Sequence, residues 1–245
     1  MQNNPYLSGN YAPVKDELEM RNLKIIGEIP KDLTGIYMRN DPNPAFTPIS
    51  YTYPLDFVFH FANAYENDNE IIIDYVRHET GDFFVKDIDE REMFPMLYRT
   101  IININSGTIK HTQLDDRVVE FPRIKEDYDT LSHQFIYTTT RTTDMAASQG
   151  FNAIIKYDVK NKSSQIHEFG QHAQVGEPVF ALGSTQQSED GGYLMLFVYD
   201  AISEQSEFVI LDAKNFGDLP LARIKMPRRV PSGFHGSWMP GEWVW

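Results

Sequence analysis

Beyond residue 70 the apolar positions come in short runs broken by Asn, Ser, Gly, Lys and Glu, and signals of helical spacing are scarce. Ile71-Ile72-Ile73-Asp74-Tyr75-Val76 is rich in β-branched and aromatic side chains, which suit the pleated surface of a strand. Tyr98 to Ile104 and Thr108 to Leu114 flank Asn105-Ser106-Gly107, a hairpin signal because glycine accepts positive φ. Gln134 to Thr140 and Ala153 to Val159 predict two more strands, followed by a turn at Asn161-Lys162-Ser163-Ser164 and a strand from Gln165 to Phe169. Tyr193 to Tyr199, a polar turn at Ser203-Glu204-Gln205-Ser206, Phe208 to Asp212 and Pro220 to Pro227 repeat the rhythm. Thr185 to Gly192 reads as an exposed loop between strands. The chain is thus expected to be all-β. Three or four strands per about 40–50 residues is the rhythm of propeller blades, and a sandwich gives similar local signals.

Composition narrows the partners. A chain of 245 residues, 41% hydrophobic, can bury a sizeable core as one domain over 1–245. Its 35 acidic and 22 basic residues leave a formal charge of −13, a field that repels phosphate backbones, so no nucleic acid is expected. An anionic membrane surface is a poor long-range partner, although a local apolar patch could make peripheral contact. The absence of cysteine excludes disulfides and thiol catalysis. No run approaches the roughly 18 apolar residues of a spanning helix, and the start of the chain has no leader pattern, so a cytoplasmic location is expected.

Two histidines stand in rigid aromatic settings, in Phe59-His60-Phe61-Ala62-Asn63-Ala64-Tyr65-Glu66 and in Val230-Pro231-Ser232-Gly233-Phe234-His235-Gly236-Ser237-Trp238. A histidine pair without thiols points to a borderline metal such as iron, not to structural zinc or an iron–sulfur cluster. The bland alternatives are a satisfied core histidine at 60 and a turn histidine at 235. Strand alternation places Val58, His60 and Ala62 on one face and Phe57, Phe59 and Phe61 on the other. Asn63, Tyr65 and Glu66 are expected to cap the turn after His60, and Glu120 and Glu177 on this view satisfy loop amides. His78, His111, His133, His167 and His172 lie in polar contexts and read as surface histidines. Trp238, Trp243 and Trp245 read as an aromatic cover for a final blade.

These segments together resemble the carotenoid oxygenase family, whose non-haem iron enzymes cleave carotenoids, apocarotenoids and stilbenes. Asn4 to Val14 is similar to the family's opening segment, and Gly27 to Pro44 to its first propeller strand and following loop. The segments around His60 and His235 resemble two iron-ligand segments, while Asp115 to Arg123 and Val175 to Phe180 resemble those holding glutamates that orient ligand histidines. The resemblance implies a β-propeller, Fe(2+) as cofactor, His60 and His235 as metal ligands, and Glu120 and Glu177 as their supports. It also implies an apolar conjugated substrate and O2 as partners. In the family, further blades and the first two ligand histidines follow the segment that here ends at Asp56, which runs directly into Phe57. The chain therefore reads as residues 1–56 joined to blades 57–245, an incomplete propeller with several blades missing. Weak iron retention and little turnover are expected of it alone. A completed oxygenase site, an inactive deleted member and a β-rich interaction module that self-associates through exposed blade edges are the three readings left open.

Overall fold

Among the described residues, short β-branched and aromatic runs separated by polar breaks form a two-stranded ribbon and three larger antiparallel sheets. The computed structural model describes residues 57–78, 94–142, 150–183 and 188–239, with the backbone of 33–36 and 51–54. The segments Asn4 to Val14 and most of Gly27 to Pro44, with Trp243 and Trp245, lie outside these residues. The chain divides into two units, Met1–Asp56 and Phe57–Trp245. In the first, β1 (Leu33–Ile36) and β2 (Tyr51–Pro54) form an antiparallel ribbon in which Leu33 pairs with Pro54 and Ile36 with Tyr51.

The second unit carries the blades. The first sheet runs in order through β3 (Phe61–Asn67), β4 (Glu70–Arg77), β5 (Met96–Asn103) and β6 (Ile109–Gln113). The second comprises β7 (Val119–Arg123), β8 (Phe135–Thr140), β9 (Ala153–Asp158) and β10 (Ser163–Glu168). In the third, β11 (Ala173–Val175) and β12 (Val179–Leu182) pair with opposite halves of β13 (Gly192–Asp200), followed by β14 (Gln205–Asp212) and β15 (Ala222–Lys225). The β5–β6 turn uses Gly107 at φ 69°, as its sequence predicts, with Asn103 Oδ1 accepting from the Ser106 amide at 2.9 Å. The turn expected at 161–164 ends earlier, because Lys162 takes the left-handed conformation (φ 54°) and Ser163 already pairs with Asp158.

The middle sheet is apolar on both faces, which explains the continuous runs in β8 and β9. Ile136 and Ile155 pack with Val76, Leu97 and Val119 toward the first sheet. Tyr137 and Ile154 pack with Phe180, Leu194, Leu196, Val209, Leu211 and Phe216 toward the third. Each fully buried isoleucine contributes about 1.5–3 kcal/mol, so this stacking supplies much of the cohesion between blades. Polar clamps reinforce it. Lys156 Nζ reaches Asp190 at 2.9 Å and the Ala213 carbonyl at 2.7 Å, and Glu189 accepts the amides of Gln134 and Phe135. The loop before β13, expected to be an exposed connector, thus tethers two sheets through Glu189 and Asp190.

Two histidines expected at the surface are core residues instead. His133 is buried with its Nε2 2.9 Å from Asp74, which also receives a bidentate pair from Arg99 at 2.7 Å. Burial alone would raise the Asp74 pKa, but Arg99 and His133 outweigh it and hold the carboxyl below its usual range. His78 is likewise buried, and its role belongs to the site described next. Asn63 does not cap the turn after His60: buried within β3, it donates to the Tyr128 and Leu131 carbonyls and accepts from Thr130 N. Tyr65 is buried beside His133, while Glu66 is an exposed strand residue.

Candidate metal centre

The strand nearest the site in each sheet is irregular where it presents a polar side chain. His60 stands immediately before β3, its carbonyl accepting from Val76 N at 3.0 Å. Phe59 and Phe61 on either side are exposed while Val58 and Ala62 are half-buried, as alternation predicts, but Phe57 departs from it and is half-buried too. A bulge between Phe61 and Asn63 then shifts the register, so Asn63 and Tyr65 become the buried positions. Glu120 lies in β7 just before a second irregularity, where Phe121 adopts φ 53°. Glu177 occupies the break between β11 and β12, and His235 lies in the irregular stretch beyond β15.

These four residues meet. His60 Nδ1 donates to Glu120 Oε2 at 2.6 Å, and His235 Nδ1 faces Glu177 Oε1 at 3.3 Å. The two Nε2 atoms then confront each other at 3.2 Å. Carboxylates only accept, so each Nδ1 carries a proton, and in the neutral form of each ring the free Nε2 lone pair is aimed at the same point. Two such lone pairs at this separation repel unless a metal cation, or a proton carried by one of the rings, lies between them. Adjacent nitrogen donors on one ion with bonds of about 2.0–2.1 Å stand about 3 Å apart, so the pair suits two neighbouring positions of a coordination sphere. Among the described residues no group of three or more His, Asp or Glu side chains is arranged to hold one ion.

Electrostatics favour the ionised supports. Burial would raise the Glu120 pKa, but hydrogen bonds from His60, from His78 and from the Phe121 amide bring it down to about 2. Glu177 Oε2 accepts from the Gly236 amide at 2.8 Å, fastening the loop that carries His235. Arg123 fastens the same loop through the Gly236 carbonyl at 3.0 Å and lies 3.7 Å from Glu177. A Cβ at Gly236 would stand 3.1 Å from Val179 Cγ2, so glycine permits this close approach. Phe121 packs against both rings, with centroids 5.1 Å from His60 and 6.1 Å from His235. Phe234 and Trp238 flank His235 in the chain and are exposed.

All four expected site residues therefore converge. Glu177 does satisfy a loop amide, that of Gly236, whereas the amide Glu120 accepts, Phe121 N, lies within β7, and each carboxylate also contacts a histidine. Arg123 and His78 were not anticipated. Arg123 offered no signal beyond lying three residues from Glu120, and His78 was disguised by its polar neighbours Arg77 and Glu79.

Known proteins share this arrangement of strands. Residues 49–240 match the family described as retinal pigment epithelial membrane protein, RPE65. The apocarotenoid-15,15'-oxygenase of Synechocystis is 30% identical over 191 residues, covering 74% of this chain and 38% of that protein. The carotenoid cleavage oxygenase of Mycobacterium tuberculosis is 31% identical over 195 residues, covering 75% and 38%. Isoeugenol monooxygenase of Pseudomonas putida is 29% identical over 199 residues, covering 76% and 42%. The crystal structure of cobalt-substituted Synechocystis ACO superposes with a TM-score of 0.76 at 25% identity, covering 85% of this chain and 44% of that one. The chain spans about two-fifths of the length of these relatives, as a partial set of propeller blades. With the sequence match running across all three sheets and the fold shared, the chain belongs to the carotenoid oxygenase (RPE65) family.

Proposed function

We propose that this chain carries part of the iron centre of a non-haem Fe(II)-dependent dioxygenase that cleaves a conjugated carbon–carbon double bond of a carotenoid, apocarotenoid or stilbene into carbonyl products. The observation supporting it most is the convergence of His60 Nε2 and His235 Nε2, each backed by a glutamate. His60 and His235 would hold the metal, with Glu120 and Glu177 as their supports. Ferrous iron bound by neutral imidazoles retains its positive charge and supplies O2 activation. The protein's own groups do the positioning. Glu120 and Glu177 retain the Nδ1 protons and so aim the Nε2 lone pairs outward. Phe121, packed against both rings, and Phe59 beside His60 offer apolar faces against which a conjugated alkene can align.

Titration of the purified chain with Co(II), followed by visible absorption, is expected to give a single-site imidazole complex, weaker than a four-histidine site would form. His60→Ala should abolish it; equal uptake by that variant would sink the reading. With Fe(II), labelled O2 and a stilbene or apocarotenal, turnover should place one oxygen atom in each carbonyl product. A second reading, a non-catalytic family member, draws on the 56% exposure of the His235 side chain and the lack of a third ligand among the described residues. It predicts saturable metal uptake with no carbonyl product.

A further inference from the structure

Glu120 serves two histidines. Its Oε2 accepts from His60 Nδ1 and from the Phe121 amide, each at 2.6 Å, while its Oε1 accepts from His78 Nε2 at 2.6 Å. His78 is 5% exposed, and its ring meets Phe59 edge-on with centroids 5.1 Å apart. Its backbone is anchored as firmly. His78 N donates to the Phe57 carbonyl at 2.8 Å, Phe57 N donates back at 3.2 Å, and Val76 N donates to the His60 carbonyl. The end of β4 therefore grips the segment bearing His60 through its backbone and the carboxylate supporting His60 through a side chain.

We propose that His78 is a positioning residue of the metal centre: by donating to Glu120 Oε1 it locks the carboxylate so that Oε2 holds the Nδ1 proton of His60, leaving His60 Nε2 as the free donor atom. A carboxylate fixed at one oxygen only can turn about its Cγ–Cδ bond and offer either oxygen at varied angles. With both oxygens engaged it has one orientation, and so does the imidazole it orders. The counterpart Glu177 has no second histidine among its contacts; it relies on the Gly236 amide and the distant Arg123.

The inference rests on the metal-centre reading for its consequence, but not for its geometry, and the test separates the two. His78→Leu removes the donor; His78→Gln keeps a nitrogen donor at a similar reach. Long-range proton–nitrogen NMR of the metal-free full chain reports which ring nitrogen of His60 carries the proton. Wild type and His78→Gln should show the Nδ1–H form alone, and His78→Leu a mixture of both tautomers. In Co(II) titration His78→Leu should weaken binding about tenfold, the lower end of the effect of supporting partners, with His78→Gln within about threefold of wild type. An unaltered His60 tautomer in His78→Leu would overturn the proposal, as would equal Co(II) affinity in a wild type that binds the metal. If wild type takes up no Co(II) while the tautomer shifts as described, the metal reading fails and the positioning role stands. A fall in thermal stability alone, with tautomer and affinity unmoved, marks His78 as merely structural and also overturns it.

Discussion

His60 and His235 present the same atom to the same point, yet they are held by different means. The His60 arm lies between two sheets: its side chain is 20% exposed, its carboxylate has three short donors, and its backbone is paired to β4. The His235 arm hangs on a loop: its side chain is 56% exposed, its contact to Glu177 is 3.3 Å, and Arg123 and Gly236 fasten it from one side. One arm is preorganised by the blades and the other by a tether. This difference teaches that a symmetrical pair of ligand-like groups can carry unequal energetic weight, and it sets the expected order of mutational effects.

Glu120→Ala should do the most damage, because it leaves buried donors on His60, His78 and Phe121 without an acceptor. A loss of about 3–5 kcal/mol is expected in urea denaturation, since each of the three donors left without an acceptor costs about 1–3 kcal/mol. A loss below that of Glu177→Ala would reverse the ranking of the arms. Acid should expose the same residue. Glu120 in the folded chain releases its proton near 2 against an ordinary 4.5, so the unfolded chain binds more protons between those values. Its stabilisation is therefore complete above about pH 4.5 and lost as pH falls toward 2, amounting to at most about 3 kcal/mol. Comparing wild type with Glu120→Gln across that window isolates the contribution; identical acid profiles would refute it.

The tethered arm should respond less. Glu177→Ala removes the acceptor of the Gly236 amide and should cost about 1–2 kcal/mol, with the loop near His235 becoming more susceptible to protease. Arg123→Met deletes one hydrogen bond to the Gly236 carbonyl at a partly exposed site, and about 1 kcal/mol is expected. Gly236→Ala should be the mildest, a few tenths of a kcal/mol, since Val179 need yield only slightly. Hydrogen exchange at Gly236 should still quicken in that variant. If Gly236→Ala proves as costly as Glu120→Ala, the loop is as preorganised as the blades.

What could be read from the chain follows the same division. Strands β4, β5, β6, β8, β9, β13 and β14 stand near where their β-branched and aromatic runs put them, because those positions face apolar neighbours whatever the details of packing. Strands β7, β11 and β12 were not marked out as such, and β3 only through the alternation read at residues 57–62, although they carry or adjoin the site. Their pairing is interrupted by bulges at Phe61–Asn63 and Glu120–Arg123 and by the break at Glu177, and irregular strands lose the alternation that makes a strand visible. His60, His235, Glu120 and Glu177 were found through likeness to family segments; spacing alone left each with an ordinary explanation.

Local chemistry thus decided the all-β class and the main turns, since each depends on a residue and its near neighbours, and composition alone set the net charge of −13. Only tertiary structure decided that residues as distant as 60, 78, 120, 177 and 235 share one hydrogen-bonded cluster. It also decided that His78 and His133, which sit among polar neighbours in the chain, are buried and paired. The physical reason is that burial and hydrogen bonding are set by what lies across the sheet, and a histidine's flanking residues do not encode which carboxylate will face it.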